Sequence, residues 1–577
     1  MPSLKTTLTN IFAKAIQECF SIAFNPAIQL AGKPEFGDFQ ANFALGLAKQ
    51  LQLKPFDVAN QVVSKIKTNS IFAELSVAGP GFINIRLSET FLSAQLDTLI
   101  HDSAFQFLRD EHPQTIVVDY GGANVAKEMH VGHLRSAAIG DTAVRILSFL
   151  GHHVIRQNHL GDWGTQFGML IEYLLTEHIE VEQQTDLSAL NDLYKKSKEK
   201  FDADENFAAR ARARVVLLQQ GDVESFAIWQ KLVKQSEIYY QVAYERLGVL
   251  LKTEDNRGES FYNPRLPSLV EELLQNNIAQ IDNGAAVIFM PEFVDQNKEP
   301  LPMLIRKSDG AFLYATTDLA AAEYRIKTLG ASRIIIVTDA RQKLHFHMLF
   351  AALKKIGLAH EHITLQHLAF GTVLGPDKKP FKTRSGETVK LADLLDEAER
   401  RALAIVSERN PDLSAQEKHH LAHVIGIGAL KYADLSNDLV RDYVFDWDRL
   451  LSFEGNTAPY LQNAYVRIQA IFRKGTVETE TLKQKTLSIT AKEEHTLAIK
   501  LLEFSDVINT VANDLTPHKL CTYLYELASR FHQFYEACPI LNAETQTKDS
   551  RLLLCLCTGN VLKQGLHLLG IEVMEKM

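Results

Sequence analysis

Cysteine is scarce in this chain, and paired-cysteine motifs and long apolar runs are missing from it. The 577 residues include five cysteines and no CxxC pair, namely Cys19, Cys521, Cys538, Cys555 and Cys557. A zinc site or a disulfide framework is therefore not expected, and this cysteine usage favours a reducing cytoplasm. No apolar run approaches the ~18 residues that a membrane-spanning helix needs.

The N-terminal stretch lacks the marks of a targeting segment. It contains no arginine up to residue 20, and apolar residues recur at helical spacing from Leu4 to Phe20. This pattern predicts an amphipathic helix of the mature fold rather than a secretory or transit peptide.

An excess of positive charge is also missing. The chain has 61 Lys and Arg against 70 Asp and Glu, a net charge of -9. This argues only weakly against a nucleic-acid partner, because phosphate binding needs a local basic surface rather than a basic total. With 46% apolar and 23% charged residues, the composition is that of a globular protein. Its length predicts about three or four domains.

A strand–helix–strand pattern begins near residue 115. The β-branched run Thr115–Tyr120 precedes a glycine-rich loop, an apolar helical stretch covers Leu134–Leu150, and a second strand is predicted at His153–Arg156. An apolar helix between two such strands is typical of a βαβ unit packed on a parallel sheet.

The rest of the chain divides around this unit. A buried strand at Arg333–Val337 extends the nucleotide-type fold, which we place at 111–170 and 260–390 with a helical insertion between the two parts. The preceding residues include a strand at Phe82–Arg86. After residue 395 strand signals largely vanish, and long periodic helices continue to the end.

The strongest chemical signal is the segment Asn124–His133 (NVAKEMHVGH), between the first strand and its helix. Free backbone N–H groups and the helix dipole favour anions at such a place. Two histidines three residues apart can bracket phosphate and ribose, and the glycine between them lets a purine approach closely. In isolation, His130 and His133 would more simply be capping or core histidines, or else a metal pair. The strand–loop–helix context favours the nucleotide site.

The HVGH segment resembles the HIGH signature of class I aminoacyl-tRNA synthetases, with valine in the isoleucine place. Five segments resemble arginyl-tRNA synthetases in the family's order: VDYGGANVAKEMHVGHLRS at 118–136, VIRQNHLGDWGTQFGML at 154–170, YATTDLAAA at 314–322, DARQKLH at 339–345 and GNTAPYLQNAYVRI at 455–468. FGDFQANFALGLAK at 36–49 and the C-terminal helices are also similar, so the resemblance covers nearly the whole chain.

The resemblance implies the fold class. It is α/β, with a class I Rossmann-like nucleotide-binding catalytic domain on a parallel sheet, an α+β N-terminal domain and an all-α C-terminal anticodon-binding bundle. The implied domains are 1–110, which contacts the tRNA corner; 111–390, which is catalytic and has its insertion at about 171–260; 391–454, which consists of connecting helices; and 455–577, which binds the anticodon.

The resemblance also implies a pocket for arginine. Its expected lining residues are Asp119, Asn124, Tyr314, Asp318 and Gln342. The residue chemistry supports this, because a guanidinium fork is matched best by carboxylates and planar acceptors. Asn124 would take the α-amino or carboxylate end, and the acidic groups with Tyr314 would read the side chain. Seen alone, Asp318 would be a helix N-cap and Asp119 a strand-end carboxylate bonded to a turn.

For ATP with its Mg²⁺, the resemblance implies a second set of residues. The ATP-binding set is His130, Gly132, His133, Lys127, Gly161, Asp162 and Lys382, and the catalytic set is His130, His133, Lys127, Lys382 and Arg384. The chain departs from the KMSK signature of the class: KKPFKTRSG at 378–386 keeps Arg384 but has threonine at the second-lysine position. Lys127 is thought to compensate in the family, and which of the three cations dominates stays open. A solvated loop is the alternative for this stretch.

The implied reaction begins with attack of the arginine carboxylate on the α-phosphorus of ATP, which gives arginyl-adenylate and pyrophosphate. Transfer to the 3′-terminal ribose of tRNA(Arg) then releases AMP. No covalent enzyme intermediate is required, so the protein contributes positioning and charge stabilisation. The family typically needs bound tRNA before it activates arginine. We expect a cytoplasmic monomer with no membrane partner and no tightly bound protein metal.

Aromatic, amide and basic side chains that could contact unstacked bases or the tRNA corner occur near both ends of the chain. The candidates are Tyr460, Asn463 and Arg467 in the C-terminal bundle and Phe36, Phe39 and Asn42 in the N-terminal unit. For the N-terminal set, a place in the core is an equally weighted alternative.

Other classes of protein fit less well. A class I synthetase for cysteine would need a zinc site with paired cysteines, and one for glutamine does not explain both acidic pocket residues. A non-catalytic RNA-binding paralogue would have lost His130, His133 or Asp318, and all three are present. His345 and His347 are expected to be ordinary helix residues rather than metal ligands.

Overall fold

The chain forms two compact units. The computed structural model describes residues 3–180, 187–382 and 388–577. Met1–Arg109, Ser452–His567 and Glu572–Met577 make up the first unit, and Asp110–Leu451 with Leu568–Ile571 makes up the second. Within the described ranges, no helix combines the length and hydropathy needed to cross a membrane.

The N-terminal part of the first unit is an antiparallel sheet with four helices. Its elements are α1 (Leu4–Phe20), β1 (Ile28–Leu30), β2 (Phe39–Ala41), α2 (Ala44–Leu51), α3 (Pro55–Ile66), β3 (Phe72–Ala78), β4 (Phe82–Leu87) and α4 (Glu89–His101). The strand order is β1-β2-β4-β3. The predicted amphipathic helix is confirmed as α1, whose Leu8 and Phe12 are buried and whose start is capped by the Ser3 hydroxyl.

The second unit alternates strands and helices. Its elements are β5 (Thr115–Asp119), α5 (Val131–Phe149), β6 (His153–Gln157), α6 (Thr165–Thr176), α7 (Leu187–Ala203), α8 (Glu205–Gln219), α9 (Val223–Arg246), α10 (Glu259–Tyr262), α11 (Leu266–Gln275), β7 (Gln280–Asp282), β8 (Ala285–Ile288), β9 (Met303–Arg306), α12 (Tyr314–Lys327), β10 (Arg333–Asp339), α13 (Lys343–Ile356), β11 (Thr364–Phe370), β12 (Val373–Leu374), α14 (Leu391–Arg409), α15 (Ala415–Leu435), β13 (Tyr443–Val444) and α16 (Trp447–Leu450).

A parallel sheet of order β11-β10-β5-β6 organises this unit. Val117 of β5 and Ile334 of β10 are buried in one apolar core with Leu319 of α12 and Leu349 of α13. Strands that are buried on both faces consist of continuous runs of aliphatic residues, so these strands could be predicted from the sequence. The predicted βαβ unit is confirmed, although α5 begins at Val131 rather than Leu134 because the HVGH segment itself forms the helix start.

The C-terminal residues of the first unit are helical. Their elements are α17 (Ala458–Gly475), α18 (Thr479–Leu482), α19 (Lys492–Leu502), α20 (Phe504–Asp514), α21 (Pro517–Ala537) and α22 (Thr545–Leu568). Leu497, Leu524 and Phe531 are fully buried, which accounts for the helical periodicity of the sequence here.

Candidate functional site

The carboxyl ends of β5 and β10 lie at one edge of the parallel sheet, because the two strands pair side by side. β5 ends at Asp119, and the following loop leads to α5, which begins at Val131. Open α/β sheets bind ligands where strand ends and helix starts meet in this way. This edge is therefore the expected ligand-binding edge of the second unit.

His130 and His133 form a reciprocal cap at the start of α5. Nδ1 of His130 accepts a hydrogen bond from the Gly132 N–H (3.1 Å), and Nδ1 of His133 accepts one from the His130 N–H (2.9 Å). Such bonds satisfy N–H groups that a helix start leaves unpaired. Since both Nδ1 atoms are acceptors, the proton of each neutral ring lies on Nε2, which can donate to a ligand oxygen.

Both histidine rings are neutral at physiological pH. Burial, together with the neighbouring His130, lowers the pKa of His133 to about 3. Burial and the nearby Arg341 lower the pKa of His130 as well. A Cβ on Gly132 would lie 2.9 Å from Cε1 of His130, so this arrangement of the rings requires glycine. The two histidines can therefore cap the helix and still offer neutral donors to phosphate or ribose.

The loop that precedes α5 is tied to α9. The Tyr240 hydroxyl donates to the carbonyl of Asn124 (2.6 Å) and to that of Lys127 (3.0 Å). Ala126, between them, has a φ of 63°, and its N–H donates to Ser236 (3.0 Å). A left-handed alanine costs free energy and persists only where its surroundings hold it. Helix α9 thus fixes the loop that carries two of the predicted site residues.

The lysine-rich stretch after β12 returns beside the start of α5. The carbonyl of Val389 accepts a hydrogen bond from the first N–H of α5 (3.1 Å). The Lys390 ammonium pairs with Glu128 (2.9 Å), which raises the pKa of Lys390. Lys382 is exposed at the near end of this stretch. The predicted catalytic residue Arg384 lies outside the described residues.

Asn124 and Gly161 are neighbours whose backbones run side by side. A Cβ on Gly161 would lie 2.3 Å from Oδ1 of Asn124, so the site leaves no room for a side chain there. Asp162 is 5% exposed, and its carboxylate accepts from the N–H (2.9 Å) and hydroxyl (2.6 Å) of Ser260. Gly161 thus determines where Asn124 can lie, and the Asp162 side chain is engaged within the protein.

Asp119 is paired with an arginine of the protein itself. Arg325 donates from Nη2 to Oδ2 of Asp119 (2.5 Å) and from Nε to Gln157 (2.6 Å). Oδ1 of Asp119 accepts from the His159 N–H (3.3 Å). The charge of Asp119 is therefore balanced before any ligand arrives, which the sequence pattern does not indicate.

Asp318 lies near the start of α12, but Leu313 is the N-cap, so the N-cap alternative does not apply. Its Oδ2 lies 2.6 Å from Nε2 of His345, and its Oδ1 lies 3.9 Å from Nε2 of His159. The ring of Tyr314 stands edge-on to that of His345, with centroids 4.7 Å apart. Among the residues that the structure describes, no Lys or Arg lies within ion-pair distance of Asp318, so its carboxylate can still pair with a cationic substrate.

Gln342 ends a short 3₁₀ turn, Ala340–Gln342, between β10 and α13. Its side chain is exposed, three residues before His345. The structure therefore brings Tyr314 and Asp318 together through His345 and places Gln342 on the turn that begins the same helix.

Glu259 is an acidic residue that the sequence analysis does not single out. It begins α10, where an acidic residue is common because of the helix dipole, so nothing in the local sequence marks it. Burial, together with the nearby carboxylates of Asp162 and Asp318, raises the pKa of Glu259 to about 8. A carboxyl group with so strongly raised a pKa, close to other carboxyl groups, is typical of functional sites.

The residues predicted to contact the tRNA corner lie in the first unit. Phe39 is 3% exposed and pairs with Ile85 in the sheet, so it is a core aromatic, the alternative offered by the sequence. Phe36 and Asn42 are half-buried.

The candidates in the C-terminal helices share one helix, α17. The Tyr460 hydroxyl lies 2.8 Å from Nδ1 of His532, and the Arg467 guanidinium lies 5.5 Å from the centroid of the Tyr535 ring. Asn463 is half-buried between them on the helix. Aromatic and basic groups therefore lie together here, as base recognition requires.

The model of the family described as tRNA synthetases class I (R), catalytic domain, matches residues 95–447, more than half of the chain. With the parallel sheet and the histidine cap, this match defines a class I aminoacyl-tRNA synthetase. Models of an arginyl-tRNA synthetase N-terminal domain and a DALR anticodon-binding domain match residues 6–87 and 461–577. The chain belongs to the arginyl-tRNA synthetase family and is an enzyme, an aminoacyl-tRNA ligase.

Individual relatives agree with the family models. The chain is 50% identical to an arginine–tRNA ligase of Mannheimia succiniciproducens over 96% of each chain, and 47% identical to that of Alteromonas mediterranea over 100% of each. The solved arginyl-tRNA synthetase of Plasmodium falciparum is similar with a TM-score of 0.86 at 31% identity, over 100% of both chains. The predicted fold class and the predicted function, arginyl-tRNA synthesis, are confirmed.

Proposed function

We propose that this site makes arginyl-adenylate from L-arginine and ATP, and then transfers the arginyl group to the 3′-terminal ribose of tRNA(Arg). The observation that carries the proposal is that two neutral histidines cap α5, the helix after β5, while the Asp318 carboxylate lies against His345 of α13, the helix after β10, and near His159, which follows β6. The cap suits phosphate and ribose oxygens, and the carboxylate suits a guanidinium.

In the activation step, an oxygen of the arginine carboxylate attacks the α-phosphorus of ATP, the bond to the bridging oxygen breaks, and pyrophosphate leaves. His130 and His133 donate to ATP oxygens in this proposal. Lys127, Lys382 and Arg384 supply the positive charge that stabilises the phosphates as the bond breaks. The rate enhancement comes from positioning and charge stabilisation, because no protein nucleophile takes part.

Small residues complete the ATP site that we propose. In this proposal the purine approaches the backbone at Gly132, where a Cβ would also collide with the His130 ring, and Gly161 lets Asn124 approach the backbone of the next segment. Asp162 contributes by holding Ser260 at the start of α10.

The arginine pocket in this proposal consists of Asp119, Asn124, Tyr314, Asp318 and Gln342. Asp318 and Tyr314 read the guanidinium, and Asn124 with Gln342 holds the α-amino and carboxylate end. Asp119 lines the pocket with a carboxylate whose charge is already balanced. A pocket of such partners rejects analogues that leave its polar groups unpaired.

In the transfer step, a ribose hydroxyl of the terminal nucleotide attacks the carbonyl carbon of the adenylate and loses its proton to solvent. The bond between that carbon and the phosphate oxygen breaks, and AMP leaves. We propose that domain 1–110, with Phe36 and Asn42, holds the tRNA corner, and that domain 455–577, with Tyr460, Asn463 and Arg467, holds the anticodon. The catalytic domain at 111–390, with its insertion at about 171–260, and the connecting helices at 391–454 lie between them in the chain. Family-model matches at 6–87, 95–447 and 461–577 support this division.

We propose that Mg²⁺ enters with ATP. In the part of the chain that the structure describes, no three His, Cys, Asp or Glu side chains form a metal site. Mg²⁺ commonly binds through substrate phosphates and water rather than a protein cage, so ATP itself would hold the ion. We further propose a monomer in the cytoplasm, where the five free cysteines stay reduced.

The test is charging of unfractionated bacterial tRNA with each of twenty labelled amino acids, ATP and Mg²⁺. We expect arginine alone to become acid-precipitable, and we expect His133→Ala to lose adenylate formation while it still binds tRNA. ATP–pyrophosphate exchange with and without tRNA then tests whether activation depends on tRNA. Charging with another amino acid, or tRNA binding without any charging, would reject the proposal.

A further inference from the structure

Asp318 is cross-linked to the neighbouring helix by His345. Nε2 of His345 lies 2.6 Å from Oδ2 of Asp318, and both side chains are largely shielded from solvent. The same imidazole packs against the ring of Tyr314 at 4.7 Å between centroids. The His345 ring on α13 therefore contacts both Asp318 and Tyr314, the two side chains that we propose bind the substrate guanidinium.

We propose that His345 is a positioning residue that sets the affinity and selectivity of the arginine pocket by fixing the Asp318 carboxylate and the Tyr314 ring. This inference rests on the proposed function. A short aspartate side chain near a helix start can rotate about two bonds, and the bond to Oδ2 selects one carboxylate plane. A guanidinium presents paired N–H donors in one rigid plane, so its affinity depends on that orientation.

Holding the carboxylate before the substrate binds removes an ordering cost from binding. The second oxygen of Asp318 lies near His159 (3.9 Å), which limits rotation in the other direction. A lysine ammonium is a compact charge without a preferred plane, and it gains less from this arrangement than a guanidinium does. The bond from His345 is therefore expected to favour arginine over lysine.

The alternative is that the bond between Asp318 and His345 only holds α12 and α13 together. The two helices already share an apolar core that includes Leu319, Leu349 and Ala352, so their packing does not depend on one polar bond. In that case, losing the bond would lower stability and turnover together. A positioning residue would affect the KM for arginine and leave the KM for ATP unchanged.

The experiment compares His345→Phe, His345→Gln and wild type in arginine-dependent ATP–pyrophosphate exchange with saturating tRNA. Phe keeps a ring against Tyr314 but cannot donate, and Gln keeps an N–H donor. His347→Phe is the matched control, because His347 is exposed on the same helix. Inhibition by lysine is measured for each variant, and circular dichroism melting checks the fold.

We expect His345→Phe to raise the KM for arginine by ~10-fold or more, with kcat and the KM for ATP within about threefold of wild type. In His345→Phe the preference for arginine over lysine falls by a similar factor. His345→Gln restores part of this preference, and His347→Phe has the same kinetic constants as wild type. An unchanged KM for arginine in His345→Phe, or a loss of melting temperature and kcat at constant KM, would overturn the inference. Absence of arginine-dependent exchange in wild type would instead reject the proposed function.

Discussion

Arg325 and Asp119 form a buried ion pair, with Nη2 and Oδ2 2.5 Å apart and side chains 3% and 10% exposed. The partners are 206 residues apart in the chain, on α12 and at the end of β5. Since this pair is internally balanced, the negative charge of the arginine pocket that we propose comes mainly from Asp318, and Glu259 lies close enough to Asp318 to interact with it electrostatically. Asp119 thus has a structural task in addition to the binding role that we propose.

Removing the Arg325 side chain should lower the stability of the protein. Arg325→Met leaves the Asp119 carboxylate buried without its cation, and loss of one partner of such a pair typically costs about 3–5 kcal/mol of unfolding free energy. Thermal and urea unfolding followed by circular dichroism measure this. Arg341→Met is the control, since its pair with Asp339 is exposed on the arginine side and should contribute under about 1 kcal/mol. Equal effects of the two changes would contradict the buried pairing.

The KM for arginine should depend on pH through Glu259, whose pKa is raised to about 8. Above that pH the carboxylate is charged and attracts the guanidinium, so the KM should fall as the pH rises from about 7 to about 9. Glu259→Gln should remove this dependence, and Glu254→Gln, at a nearby exposed position, should keep it. A pH profile shared by wild type and Glu259→Gln would show that another group titrates.

The same carboxyl group should affect stability. The folded chain holds the Glu259 proton more tightly than the unfolded chain, because its pKa is raised from 4.5 to about 8. The stability that this protonated carboxyl group contributes is therefore lost as the pH rises from 4.5 to about 8. Melting temperatures measured from pH 5 to 9 should fall less for Glu259→Gln than for wild type.

Gly161→Ala should impair activation without unfolding the protein. Its Cβ would lie 2.3 Å from Oδ1 of Asn124, so the amide must move. A displacement of about 1 Å in a positioning group can cost ~100-fold in rate, and we expect kcat/KM for arginine to fall by ~10–100-fold. Gly32→Ala is the control, since no atom lies within 4 Å of a Cβ there. Wild-type ATP–pyrophosphate exchange kinetics in Gly161→Ala would show that Asn124 does not line the arginine pocket.

Tyr460 and Arg467 should act on tRNA alone. Tyr460→Ala and Arg467→Ala are expected to raise the KM for tRNA by ~10-fold, since stacking on an aromatic side chain contributes ~1–3 kcal/mol per base. The KM for arginine should stay unchanged. Tyr465→Phe is the control, because Tyr465 is buried on the same helix. Charging titrations with tRNA transcripts separate the two constants, and wild-type KM values for tRNA in both alanine variants would exclude this surface.

The sequence by itself determined the elements around the site and the family. β5, α5 and β6 could be predicted because each is a continuous stretch whose periodicity reflects burial in a parallel sheet. The spacing of His130 and His133, three residues apart at the start of one helix, offered the histidine cap only as an alternative to the nucleotide site, and the structure shows the cap. These features depend on neighbours in the chain, and local patterns record them.

Only the tertiary structure decided which side chains are paired and which are free. Asp119 and Asp318 look alike in the sequence, yet one is balanced by Arg325 and the other is held by His345. Glu259 gains its raised pKa from burial and from two carboxylates that lie on other segments. The reason is that charge and pKa depend on burial and on nearby charges, which the packing of distant segments brings together.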